Sequence, residues 1–136
     1  MLALGIDVSL ARGLDLVALD EALLPVVALR RQSLSQLGSV VQELRPDVIA
    51  VDSPPAWAPE GRSRSIEREL ARYGIHIFAT PSDPAGRAFY SWMAVGFQVF
   101  RIVDTLGYPL FTGVGASEHA VRAATAPHVL FGSSES

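Results

Sequence analysis

Short apolar runs separated by turn formers fill the first third of the chain. They predict strands at Leu2–Val8, Leu14–Leu19 and Leu24–Leu29. The connections between them, Ser9-Leu10-Ala11-Arg12-Gly13 and Asp20-Glu21, are too short for a crossover, so the three form an antiparallel meander. Pro25 falls near the start of the third strand, where a missing donor is tolerated. The period then changes. Leu34, Leu37, Val40, Val41 and Leu44 share one helical face, with Ser33 as N-cap and Pro46 as stop. Asp47–Val51 is apolar through its middle and reads as a fourth strand covered on both faces.

Three prolines between Ser53 and Gly61 make a stiff loop directly after Asp52. Trp57 on that loop is either a lid or, as aromatics more often pack than bind, a staple onto the core. Ser65–Tyr73 reads as a short helix with Ile66, Leu70 and Tyr73 inward, and Gly74 closes it. Ile75–Ala79 is a brief extended piece. A long helix from about Gly86 to Leu106 carries a broad apolar face, including Phe89, Trp92, Met93, Phe97 and Phe100, and Gly107 ends it. Tyr108–Phe111 is expected to be a fifth strand, and Val121–Thr125 reads equally as strand or helix. The order gives one α/β domain over 1–136, a mixed sheet with helices on its faces.

Composition narrows the class. With 49% hydrophobic and 18% charged residues, the 136-residue chain can bury a real core. No cysteine means no disulfide and no thiolate metal site, which fits a cytoplasmic protein. A net charge of −3 gives no global basic footprint for nucleic acid, and a local patch stays open. All 11 basic residues are arginine, so each cation is a planar fork suited to carboxylate or phosphate. Met1 leads straight into a strand with no signal segment, and no apolar run is long enough for a membrane.

The candidate chemistry lies in two strand ends. Gly5-Ile6-Asp7-Val8-Ser9 and Val51-Asp52-Ser53-Pro54 each place an aspartate at the carboxyl end of an apolar run, where ligands collect in open α/β sheets. If the two strands are parallel neighbours, Asp7 and Asp52 share an edge and must share a proton or hold a cation. The alternative is that each only forms a turn or cap. Ser9 and Ser53 either orient ligands or cap the turns they begin. His76, His119 and His128 have no metal-ligand spacing and read as structural; Gly113-Val114-Gly115 is too short for a phosphate loop.

Three antiparallel strands, a helix and then parallel strands, with aspartates ending the first and fourth, resemble the ribonuclease H-like fold. In that fold those two strands are neighbours. A finer resemblance is to the family called domain of unknown function 429, identified as predicted nucleases of that fold. It rests on Gly5-Ile6-Asp7 with Arg12-Gly13, on Val51-Asp52-Ser53-Pro54 and on the Arg/Glu-rich run Gly61–Leu70. Gly74-Ile75-His76-Ile77-Phe78 and Leu106-Gly107-Tyr108 continue it. Two departures stand out. The family's Glu-x-x-Pro segment is matched best by Ala124-Thr125-Ala126-Pro127, with alanine at the glutamate position and Glu118 a poor substitute. The family also continues into further helices beyond Ser136, so the chain is expected to be a fragment or a shortened member.

The resemblance implies phosphodiester hydrolysis with Mg²⁺ or Mn²⁺ on Asp7 and Asp52. Glu67 is the best local third carboxylate, against the reading that it only pairs with an arginine on the helix surface. Arg12, Arg64 and Arg68 are candidate phosphate clamps, or else a solvated face or ion-pair partners. Three functions follow. The first is a metal-dependent nuclease. The second is a catalytically degenerate module binding nucleic acid, an anionic ligand or a protein. The third and weakest is a relative of the actin-like phosphotransferases, which need a second domain this length does not supply. An exposed fifth strand would also invite pairing between copies into a homo-oligomer.

Overall fold

Strand β1 (Ala3–Ser9) is the hub of a five-stranded sheet ordered β3-β2-β1-β4-β5. The computed structural model describes residues 1–58, 65–75, 80–82, 90–110 and 128–131. On one side β1 pairs antiparallel with β2 (Gly13–Leu19), which pairs antiparallel with β3 (Pro25–Gln32). On the other side it pairs parallel with β4 (Val48–Asp52), which pairs parallel with β5 (His128–Phe131). The meander and the parallel fourth strand are as the sequence predicts. The third strand runs three residues further, to Gln32, and a register irregularity between Leu14 and Leu16 accommodates Arg31 at φ 55°.

The β1–β2 turn requires Gly13. Its φ of 77° is a left-handed conformation, and a Cβ there would lie 2.9 Å from the Gln32 carbonyl oxygen. Asp20 organises the next turn, accepting the amides of Ala22 and Leu24 at 2.9 and 3.0 Å. Helix α1 (Leu34–Leu44) begins in a capping box. Ser33 Oγ accepts the Gln36 amide at 3.2 Å while Gln36 Oε1 accepts the Ser33 amide at 2.7 Å. Asp47 then ties the parallel pair at its start, accepting the Leu2 amide at 2.7 Å and donating its own amide to the Leu2 carbonyl.

Helices α1 and α3 (Ser91–Thr105) pack on the same face of the sheet. Leu37, Val41, Val99, Phe100 and Val103 close over Leu4, Ile6, Leu16, Ile49 and Val51, all nearly excluded from solvent. On the opposite face the alternate residues Ala3, Gly5, Val48 and Ala50 are half-buried and Val17 is exposed. This corrects one expectation: β4 alternates buried and half-buried positions instead of being sealed on both sides. Its small side chains made an alternating strand look uniformly apolar.

The fifth strand is also reassigned. Tyr108 and Pro109 are not in a strand, Leu110 makes a single bridge and Phe111 lies outside the described residues; β5 is His128–Phe131. Pro109 has no amide to donate, and Tyr108 turns inward, its hydroxyl donating to the Pro46 carbonyl at 2.7 Å. Helix α2 (Ser65–Arg72) forms as expected, but Tyr73 is 77% exposed rather than inward. The long helix is confirmed over Ser91–Thr105. The expected Gly86–Phe89 turn, the His76–Ala79 piece and the Val121–Thr125 element lie outside the described residues.

Candidate functional site

The parallel register pairs Asp7 with Asp52 directly, each the polar, exposed residue at the carboxyl edge of its strand. Adjacent strands lie about 4.8 Å apart, and directly opposed residues point to the same face. Both aspartates therefore share the face of the sheet opposite α1 and α3. On the other side of Asp7 the antiparallel register places Asp15. Three acidic residues thus form a row across β2, β1 and β4. Asp15 was not singled out from the sequence. The signal was present in the three-residue connection Leu10–Arg12, which pairs Ser9 with Gly13 and hence Asp7 with Asp15. Asp15 is engaged elsewhere: its carboxylate accepts the Arg31 amide at 3.0 Å, holding the irregularity in β3.

Other side chains at this edge take structural roles. Ser9 Oγ accepts the Arg12 amide at 3.2 Å, so it shapes the turn that carries the exposed Arg12. Ser53 is fully buried, its hydroxyl donating to the Pro54 carbonyl at 3.1 Å. Helix α3 presses on it so closely that a Cβ on Gly96 would fall 1.8 Å from Ser53 Oγ. The residue after Asp52 is thereby seated against the helix. Trp57 packs edge-to-face on Phe97 of α3, with ring centroids 4.8 Å apart and planes at 87°. It is a staple.

Glu67 departs most from a solvent-facing helix residue. It is 5% exposed, accepting the Thr80 amide at 2.8 Å and the Thr80 hydroxyl as well. It ties α2 to the segment at Thr80, which is also buried. Arg68, on the same helix, is exposed. Arg64, His76, Glu118, His119 and Ala124 lie outside the described residues, and His128 sits in β5 opposite Val48. Among the described residues no group of three or more His, Cys, Asp or Glu side chains is arranged to hold a metal ion. The structure brings Asp7 and Asp52 together and does not add Glu67 to them.

The family model for a protein of unknown function, DUF429, matches residues 5–108, most of the chain. The chain belongs to this family. The match begins two residues before Asp7 and runs through Asp52, α2 and α3 to Tyr108, so both aspartates lie within the matched region. No curated protein and no solved structure matches the chain. Among the described residues no helix is long and apolar enough to cross a membrane.

Proposed function

We propose that the protein is a divalent-metal-dependent phosphodiesterase of ribonuclease H-like fold acting on nucleic acid, with Asp7 and Asp52 as the cation's protein ligands. The observation that supports this reading is the register of β1 on β4, which sets two exposed carboxylates side by side at the carboxyl edge of parallel strands. Their chemistry fits the cation. Both donors are hard oxygens, and Mg²⁺ commonly takes only one or two carboxylates, completing its shell with water and phosphate oxygens. Such an ion, when bound, would draw charge from a scissile phosphate and acidify a coordinated water. The chain's own part is to hold the two carboxylates in register and to offer Arg12, at the end of the same hairpin, to a neighbouring phosphate.

A specific observation favours the second reading, a module that keeps the fold without catalysis. A two-cation site ordinarily uses more than two carboxylates, and the neighbouring Asp15 is engaged by the Arg31 amide, so that among the described residues no group of three is arranged to hold a metal ion. Titration with Mn²⁺, followed by water proton relaxation, separates the two readings. Saturable binding that Asp7→Asn and Asp52→Asn each abolish, with cleavage of single strands, duplexes or junctions, supports the enzyme. No binding at millimolar Mn²⁺ leaves the non-catalytic module.

A further inference from the structure

On the helix side of the sheet, the loop that follows Asp52 and the flank of α3 enclose a groove of about 440 Å³. Its walls are the half-buried rings of Trp57 and Phe97 with Pro55, and Arg101 and Asp104 stand on its helical rim. The volume lies within the range of about 300–1,000 Å³ typical of small-ligand pockets. Arg101 is exposed, and among the described residues its guanidinium has neither an ion-pair nor a hydrogen-bond partner, Asp104 included. Aromatic faces beside a single free guanidinium complement one kind of unit: a planar ring carrying an anion. Stacking on aromatic side chains combined with arginine–phosphate contact is how sequence-tolerant sites hold unpaired bases. A base inside a duplex has no face to offer to such a wall.

We infer that this groove binds one unpaired nucleotide of a single-stranded nucleic acid, its base against Trp57 and Phe97 and its phosphate on Arg101. Asp104 on the rim accepts from a sugar hydroxyl or an exocyclic amine. The inference rests on the nucleic-acid reading above and names the substrate class within it. Asp52 leads directly into the loop that lines the groove, while its carboxylate lies on the other face of the sheet.

The test is fluorescence anisotropy with labelled ten-nucleotide single strands, DNA and RNA, against a hairpin duplex of equal length, at low salt in EDTA. The chelator takes metal out of the measurement, so failure of the nuclease reading shows separately as binding without cleavage when Mn²⁺ is restored. The wild type is expected to bind single strands at least tenfold tighter than the duplex. Arg101→Glu, at an exposed position with no structural partner, should weaken single-strand binding about tenfold or more, and Trp57→Ala should do so by a similar factor. If Trp57→Ala fails to fold, Arg101→Glu decides alone. Equal or tighter duplex binding, unchanged affinity in Arg101→Glu, or no binding by the wild type would overturn the inference.

Discussion

At Gly96 one missing methyl group decides where the end of β4 lies. A Cβ there would sit 1.8 Å from Ser53 Oγ and 2.5 Å from Ser53 Cβ, well inside contact distance, so Gly96→Ala must displace the helix or the strand end. Overpacking of this kind costs about 1–3 kcal/mol. Urea unfolding should show that loss, and Gly96→Ala combined with Ser53→Gly should recover most of it, because both overlapping atoms are then gone. A loss of the same size in the double variant would mean that the contact does not set the packing. Tyr108 offers a second test. Burial raises its pKa above the usual value of 10, assisted by the negative charge of Asp47 and opposed by Arg45. The folded state therefore holds the phenolic proton more tightly than the unfolded chain. The resulting stability is complete below pH 10 and is lost as pH rises through the raised value. Tyr108→Phe should cost about 1–3 kcal/mol at pH 7, where it strands the Pro46 carbonyl, and should flatten the decline in stability above pH 10.

The elements most legible in the sequence were those whose determinants are local. Ser33 and Gln36 make the α1 capping box from residues three apart, and Ser33→Ala should lower stability by about 1 kcal/mol in thermal or urea unfolding. The meander followed from connections too short for anything else. The strand ends at Asp7 and Asp52 were visible as apolar runs closed by an acid, and the register confirms that they are opposed. Elements governed by distant contacts were misread. Glu67 reads in the sequence as a third carboxylate or an arginine's partner on the helix, and its burial against Thr80, thirteen residues away, has no local signal. Tyr73 looked buried because its spacing from Leu70 fits an apolar face, yet nothing among the described residues covers it. The fifth strand was placed at Tyr108–Phe111 because that segment is apolar and follows a helix. Its tyrosine is instead drawn into the core by the Pro46 carbonyl. The burial of Ser53 has no local signal either, because it follows from the close approach of α3 at Gly96.

Across the whole molecule the sheet has two different faces, and that asymmetry bears on the candidate site. The described α1 and α3 bury one face, while the other presents small residues and, at its carboxyl edge, the row Asp15–Asp7–Asp52. Directly opposed like charges destabilise a strand pair by a few tenths of a kcal/mol when exposed. A cation held between Asp7 and Asp52 would offset that repulsion, whereas carboxylates with a purely structural role would not respond to one. The two cases separate by experiment. Without metal, Asp7→Asn removes one of the opposed charges and should match the wild type in stability or exceed it by up to about 0.5 kcal/mol. With Mn²⁺ in hundredfold excess over its dissociation constant, the wild type should gain about 2.7 kcal/mol, read as a rise in melting temperature, and Asp7→Asn should gain little or none. If Asp7→Asn is clearly less stable without metal and responds to Mn²⁺ as the wild type does, the carboxylate is structural and the row is no cation site. The opposite pattern, stability traded for a metal response, is the signature expected of a functional pair.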